Sequence, residues 1–249
     1  MVESTVFGDR RPQMQKYDVE VLRSWQETPT THAVQVRKPK DFDFKPGQFA
    51  VVRVNTGDGE EARPLSIASS PLRDHLEFAT KDSGSPFKET LHAMEPGETL
   101  SIQGPAGGFV YKEDENEPII MLSGGIGITP LKSIIEYVVD KDIDREIDLA
   151  YSNSTREEIA FMDRLEELEE EHDNIHVDYF ITREPHTGVP EEYKTGRIEA
   201  RMLKKDRIWN EDAIYYICGP PQMVDSMVHM LEEEGIPDEQ IRTEQFSGY

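Results

Sequence analysis

Short segments in which apolar and polar residues alternate occupy the chain from about Tyr17 to Tyr111. Alternation of this kind is typical of β-strands with one buried face, and turn-forming residues such as Lys45-Pro46-Gly47 separate the segments. The pattern predicts a small antiparallel barrel of six strands, preceded by an N-terminal arm over residues 1–16. The predicted strands are Tyr17–Leu22, His32–Arg37, Phe49–Val54, Leu65–Ala68, Leu76–Thr80 and Leu100–Gln103.

Beyond residue 113 the pattern changes, because short apolar runs alternate there with segments of helical spacing. This order predicts a doubly wound, five-stranded parallel sheet, in which ligands bind at the carboxyl ends of the strands. We therefore expect two domains, residues 1–113 and 114–249. The predicted strands are Ile119–Leu122, Ile147–Tyr151, Ile175–Thr182, Ile214–Cys218 and Gln240–Glu244, and the predicted helices are Pro130–Val139, Ile159–Glu171 and Pro221–Glu234.

The first strand of this second domain runs into a glycine turn and then a helix. Gly124, Gly125 and Gly127 allow the backbone to approach a ligand closely, because they have no Cβ. Thr129 is a suitable N-cap and Pro130 suits the first helical position, so the free amides would face an anion. The segment fits a phosphate or pyrophosphate, although a purely structural turn of this kind is also common.

Acidic residues dominate the composition. The 249 residues include 50 Asp and Glu against 27 Lys and Arg, which gives a formal net charge of -23. Nucleic acids and anionic membrane surfaces are therefore poor partners. The acid is spread over many short clusters, and a solvated surface accounts for it. Such a surface would also suit a salt-rich cytoplasm, so a halophilic source is a hypothesis.

Cys218 is the only cysteine, which excludes an intrachain disulfide and an iron–sulfur or cysteine-rich zinc site formed within one chain. The seven histidines show no metal-ligand spacing, and we expect no metal. The N-terminus lacks the apolar region of a signal peptide, and no apolar run approaches ~18 residues. These features predict a cytoplasmic protein.

Four motifs follow one another along the chain: Arg63–Pro71 (RPLSIASSP), Gly124–Pro130 (GGIGITP), Cys218–Pro221 (CGPP) and Glu244–Tyr249 (EQFSGY). In order and spacing they resemble the ferredoxin–NADP reductase superfamily, over nearly the whole chain from about Tyr17. The resemblance implies that the barrel binds FAD and that the α/β domain binds NAD(P)H.

In the first motif, the resemblance places Arg63 on the flavin pyrophosphate, a bidentate task suited to guanidinium. It places Pro64 and Leu65 beside the flavin and the Ser66 hydroxyl near the flavin N5. Leu65 stands where the family usually has tyrosine, so it can cover the ring but not donate a hydrogen bond.

Two further segments resemble flavin-binding parts of the family. Lys88 and Thr90 lie in Ser83–Leu91, which resembles the family's second flavin segment, where backbone amides at a helix start contact the pyrophosphate. A plain turn into a short helix is the alternative for this segment. At the chain's end, Glu244, Phe246 and Tyr249 would fold back over the flavin, and one of the two aromatic rings would cover it until nicotinamide displaces that ring. A chain end without fixed structure is the other possibility.

For the nucleotide, the resemblance assigns the pyrophosphate to the segment from Gly124 to Pro130. It places Cys218, Gly219 and Pro220 beside the nicotinamide, although a small thiol at a strand end is usually a core residue. With Ser66 and Glu244, Cys218 completes the predicted catalytic region.

Three residues bear on the choice of nucleotide. Thr182 and Arg183 resemble a segment of NADP-using members, and Arg197 resembles a second arginine of bacterial ones. Arginine suits a 2′-phosphate, but NAD-using relatives also carry Thr-Arg-Glu. The sequence favours NADP slightly and leaves NAD open.

The resemblance implies an FAD-dependent oxidoreductase that transfers hydride between NAD(P)H and FAD. A separate protein, ferredoxin or flavodoxin, would exchange the electrons. The alternatives are a free-flavin or ferric reductase and, from another class, a non-catalytic flavin-binding electron-transfer subunit.

Overall fold

The computed structural model describes residues 15–184, 189–206 and 208–246. The described residues form two six-stranded sheets, of which the N-terminal one is antiparallel and the C-terminal one is parallel. This architecture confirms the two-part fold predicted from the sequence. Residues 1–14 of the predicted arm lie outside the described residues, and Lys16 already belongs to the first strand.

The antiparallel sheet has the order β4-β3-β6-β1-β2-β5. Its long first strand pairs with β6 through its first residues and with β2 through its last, with a change of register near Val21. The sheet curls around an apolar interior until β4 and β5 approach each other, which makes the predicted barrel. The elements are β1 (Lys16–Thr28), β2 (Thr31–Arg37), β3 (Phe49–Thr56), β4 (Gly59–Ser66), β5 (His75–Lys81), α1 (Pro86–His92) and β6 (Thr99–Ala106).

The parallel sheet has the order β10-β9-β8-β7-β11-β12, with helices on both faces. Its elements are β7 (Ile119–Gly124), α2 (Ile128–Asp140), β8 (Ile147–Asn153), α3 (Met162–Glu171), β9 (Ile175–Ile181), β10 (Lys194–Thr195), α4 (Ala200–Lys205), β11 (Ile214–Gly219), α5 (Pro221–Glu233) and β12 (Ile241–Gln245). The predicted count of five strands was one too few. The missing strand, β10, has only two residues, too few to show a period.

Some boundaries also differ from the prediction. Strand β4 ends at Ser66 rather than Ala68 and extends back to Gly59, because it forms a hairpin with β3. Helix α3 begins at Met162 rather than Ile159, because Phe161 adopts a left-handed backbone with φ 61°. The periodicity did not predict α4, a helix of six residues.

Helix α2 joins the two halves of the molecule. One face packs on the parallel sheet, and the other contacts the chain that follows β4. Thr129 was predicted to cap this helix, but it does not. A 3₁₀ turn at Gly125–Gly127 runs directly into α2, so Thr129 lies in the first turn and its hydroxyl donates to the Ile126 carbonyl at 3.0 Å. In the described part of the chain, no helix is long and apolar enough to cross a bilayer.

Candidate active site

A cavity of about 420 Å³ lies between the two sheets and is lined by residues of both. Its antiparallel-sheet wall includes the last four residues of β4, and its opposite wall includes the start of α2 and the end of β12. Eight of the predicted site residues therefore meet in one space. These eight are Arg63, Pro64, Leu65, Ser66, Lys88, Thr129, Glu244 and Phe246.

Arg63 lines the cavity and is half exposed. Its guanidinium is 2.8 Å from a Glu61 carboxylate oxygen and 5.5 Å from the centre of the Phe87 ring. The same guanidinium donates to the Ala62 carbonyl at 2.8 Å. Arg63 is thus held in place by its own strand, and an anion in the cavity would compete with Glu61 for it.

Lys88 supplies a second cation at the same cavity. Burial lowers the pKa of the Lys88 ammonium and the charge of Arg63 lowers it further, while Asp82 acts in the opposite direction. The backbone amide of Lys88 donates to the Ser85 hydroxyl, which caps α1. Thr90 does not join this group. Thr90 is two residues after Lys88 on α1, so its side chain leaves the helix on another side and lines a separate groove with Glu89.

The glycine turn is closed against its neighbours rather than open to solvent. A Cβ on Gly127 would lie 2.3 Å from the Cys218 carbonyl oxygen, and one on Gly124 would lie 2.2 Å from the Met223 sulfur. Gly127 therefore requires glycine for packing, because its neighbours there are backbone atoms, whereas Gly124 faces the flexible Met223 side chain. Gly125 accepts a hydrogen bond from the Tyr151 hydroxyl at 2.9 Å, which fixes the turn at the carboxyl end of β7.

The ends of β11 and β12 bring Cys218 and Glu244 side by side, since the two are paired in register. Burial raises the pKa of the Cys218 thiol well above its ordinary value, and Glu244 raises it further. Burial also raises the pKa of Glu244, which lines the cavity. The Cys218 side chain is fully buried, so it lies beneath the cavity and not on its surface.

Phe246 covers this region from the chain's end. Its amide donates to the Gly219 carbonyl at 3.0 Å, and its ring packs on the core cluster that contains Cys218. Pro220 follows Gly219 as the N-cap of α5, and its ring packs near Gly124. Tyr249, the other predicted aromatic, lies outside the described residues.

Arg183 and Arg197 leave neighbouring strands at the same edge. Ile181 is paired with Thr195 in parallel register, and each arginine follows its strand by two residues. Both arginines are exposed. The hydroxyl of Thr182 donates back to the Asn153 carbonyl at 3.1 Å, so it holds the loop rather than facing outward.

Several site residues were not predicted from the sequence. Phe49, Phe87 and Ile126 add apolar walls to the cavity. Lys81 also lines the cavity and pairs with Glu158 of the parallel-sheet side at 3.7 Å. The signal for Lys81 was available, because it directly follows the predicted strand Leu76–Thr80.

Arg156 was missed as well. Its guanidinium pairs with Glu184 at 3.0 Å, and its amide donates to the same carboxylate at 2.6 Å. The pairing holds Glu184, the residue that follows Arg183. In the described ranges, no group of three or more His, Cys, Asp or Glu side chains is arranged to hold a metal ion.

Comparison with known proteins identifies an NAD-binding domain and a shared fold. Residues 121–229 match the model of the oxidoreductase NAD-binding domain. The ferredoxin–NADP⁺ reductase of Neisseria gonorrhoeae, solved with bound FAD and NADP, superimposes with a TM-score of 0.79 at 24% identity, covering 92% of this chain and 98% of that one. The chain therefore contains an oxidoreductase NAD-binding domain and shares the fold of the Neisseria gonorrhoeae reductase.

Two curated proteins match the chain at slightly higher identity. The flavohemoprotein of Bacillus subtilis (strain 168) is 29% identical over 218 residues, which is 84% of this chain and 54% of the relative. The sulfhydrogenase 2 subunit gamma of Pyrococcus furiosus is 29% identical over 206 residues, or 79% of this chain and 70% of the relative. The chain thus spans about half the length of the flavohemoprotein.

Proposed function

We propose that this chain binds FAD in the cavity between the sheets and transfers hydride between NAD(P)H and that flavin. The observation that carries the proposal is the convergence of segments that are far apart in the sequence. Arg63–Ser66, Thr129 and Glu244–Phe246 line one cavity. In the proposed division, residues 1–113 hold FAD and residues 114–249 receive the nucleotide.

The cavity suits a flavin in its chemistry. Phe49, Leu65 and Phe87 on one side and Ile126 on the other give apolar walls for a planar ring. Arg63 and Lys88 provide two cations for a pyrophosphate at the same cavity. When bound, FAD would accept one hydride, which carries two electrons, and release those electrons one or two at a time.

The protein's own residues bind and orient the two cofactors and exclude water from between them. Ser66 is 7% exposed and closes β4 at the cavity wall, so its hydroxyl is held by a rigid strand. The raised pKa of Glu244 favours a carboxyl group that can hold a proton at the opposite wall. Phe246 shields the strand ends beneath it from water. Cys218 acts through its small volume, since its thiol is buried and protonated.

The nucleotide is NADP in our proposal. Arg183 and Arg197 emerge side by side from adjacent strands, and neither has a carboxylate within ion-pair distance in the described part of the chain. Two exposed guanidinium groups at one edge suit a 2′-phosphate. NAD is the second candidate, because Glu184 beside them can also serve a ribose hydroxyl.

The electrons pass to a separate acceptor, for which we propose a carrier protein such as ferredoxin or flavodoxin. The Pyrococcus furiosus relative is named as a subunit, which supports a partner protein. Free flavin and ferric iron are the alternative acceptors.

The test is an anaerobic absorbance titration of the purified protein, loaded with FAD in high salt, with NADPH and separately with NADH. We expect NADPH to bleach the flavin bands at a lower concentration than NADH does. Bleaching by NADH at the lower concentration would reverse the choice of nucleotide. A flavin spectrum that neither nucleotide bleaches would point to a non-catalytic electron-transfer subunit, and failure to bind FAD would reject the proposal.

Addition of acceptors to the reduced protein then distinguishes the oxidation routes. Reoxidation by ferredoxin or flavodoxin at micromolar concentration is expected. If free flavin or ferric iron reoxidises the protein and both carriers fail, the chain is a small-molecule reductase.

A further inference from the structure

One face of α2 holds three consecutive residues of the chain that follows β4. The Lys132 ammonium donates to the Ala68 carbonyl at 3.3 Å, and the Ser133 hydroxyl donates to the Ser69 carbonyl at 2.7 Å. The Ser70 amide donates to the Glu136 carboxylate at 3.2 Å. We call Lys132, Ser133 and Glu136 the α2 clasp.

The α2 clasp is buried and carries charge. The Lys132 ammonium is 2.9 Å from Glu77 on β5 and 3.0 Å from Glu136, and the lysine is 3% exposed. Arg164 of α3 pairs with Glu136 at 3.2 Å. Burial alone would lower the pKa of Lys132, but Glu77 and Glu136 raise it above its ordinary value. The lysine is therefore charged and fixed between both halves of the molecule.

The segment that the clasp holds leads straight to the cavity wall. Ala68 follows Ser66 by two residues, which span at most about 7 Å of chain. Backbone hydrogen bonds hold this short stretch in place. The Ile67 amide donates to the Gln48 carbonyl at 3.0 Å, and the Ala68 amide donates to the Glu77 carbonyl at 2.7 Å. A shift of the clasp would thus move Ser66.

The clasp is equally close to the opposite wall. Thr129 lines the cavity and lies on α2, less than one turn before Lys132. A single buried cluster therefore connects the wall that carries Ser66 with the wall where the glycine turn enters α2. No flexible linker separates the cluster from either wall.

We propose that the α2 clasp is a set of positioning residues that fixes the separation between the flavin and the nicotinamide. The inference rests on the proposed function. Hydride transfer requires the two reacting atoms to lie within about 3.5 Å of each other. The clasp would thus act on the rate of hydride transfer and not on the binding of either cofactor.

The experiment compares Lys132→Met, Ser133→Ala and the charge-balanced double variant Lys132→Met/Glu77→Gln with the wild type. The double variant removes the lysine without leaving an uncompensated carboxylate, so it guards against a loss of folding. Arg73→Met is the matched control. Arg73 also joins this loop to α2, because its guanidinium is 2.5 Å from the Asp140 carboxylate. Asp140 is the last residue of α2, so this contact lies at the opposite end of the helix from the cavity.

FAD dissociation constants, nucleotide KM values and flavin reduction rates at saturating nucleotide are measured for each protein. We expect the reduction rate of the Lys132 variants to fall about tenfold or more, since a 1 Å misplacement can cost on the order of 100-fold. The FAD dissociation constant and KM should change by less than about threefold, a difference of well under 1 kcal/mol. Ser133→Ala should show a smaller loss of the same kind, and Arg73→Met none.

Two failures can be told apart. If wild-type protein loaded with FAD is reduced by neither nucleotide, the proposed function is wrong, and so is the positioning role of the α2 clasp that rests on it. If the wild type is reduced and Ser133→Ala and the double variant bind FAD and react at the wild-type rate, the positioning role alone is overturned. A loss of rate that only follows a loss of FAD binding would also overturn it.

Discussion

At the scale of single residues, Arg63 shows how a predicted ligand can already have a partner. Glu61 pairs with its guanidinium at 2.8 Å, and both side chains are partly exposed. An exposed pair of this kind contributes about 0.2–1 kcal/mol. Removing the carboxylate should free Arg63 for the pyrophosphate, so Glu61→Gln is expected to tighten FAD binding up to about fivefold, given tenfold per 1.4 kcal/mol. A fluorescence titration of FAD at low salt measures this change.

Glu60→Gln is the control for that change. Glu60 neighbours Glu61 on β4 but pairs with Lys16 and Arg53, each at 3.2 Å, rather than with Arg63. FAD affinity should not change in this variant. The Glu61 effect should shrink in concentrated salt, which screens exposed charges. Unchanged or weaker FAD binding in Glu61→Gln would show that the carboxylate does not compete for Arg63.

The sequence predicted which residue types would meet, but not how each would be held. Arg63, Ser66 and Glu244 were predicted from motifs and line one cavity. Cys218 was predicted at the same place, yet its side chain is fully buried, because the burial of a strand-end residue depends on what packs over it. Phe246 packs on the core cluster that contains Cys218, and such contacts are set by tertiary structure and not by local pattern.

At the scale of the elements, the glycine turn matters for packing. Gly127 lies where a Cβ would meet the Cys218 carbonyl oxygen at 2.3 Å, which is backbone and cannot move aside. Gly127→Ala should therefore push the start of α2 away from β11 and lower the free energy of unfolding by about 1–3 kcal/mol, the usual cost of overpacking. Urea denaturation measures the loss. At Gly57 a Cβ would meet no atom within 4 Å, so Gly57→Ala should stay within about 0.5 kcal/mol of the wild type. Equal stability of the two variants would refute the packing role.

Element type was predictable wherever the pattern was long enough. Alternation predicted the six barrel strands, and apolar runs predicted five of the six parallel ones. The errors fall at β10 and α4, which have two and six residues, at the bounds of β4 and at the start of α3. There the left-handed Phe161 is held by its amide, which donates to Glu27 of β1 at 2.7 Å. A partner 134 residues away along the chain cannot be predicted from local pattern.

At the scale of the whole molecule, the net charge of -23 gives the last prediction. Self-repulsion among the carboxylates opposes the compact state, and its range falls from about 10 Å at 0.1 M salt to about 3 Å at 1 M. Exposed pairs such as Arg201 with Glu199 weaken as well, but each contributes little. The buried pairs of Lys132 are screened much less.

Adding KCl should therefore raise the melting temperature, by about 5 °C or more between 0.1 and 2 M, which corresponds to roughly 2 kcal/mol for a protein of this size. KCl is chosen over sulfate because sulfate stabilises proteins by exclusion from their surface regardless of charge. Screening saturates, so most of the rise should occur below about 1 M. A melting temperature that stays constant or falls over this range would mean that ion pairs outweigh the repulsion, and it would remove the reason to expect a salt-rich cytoplasm.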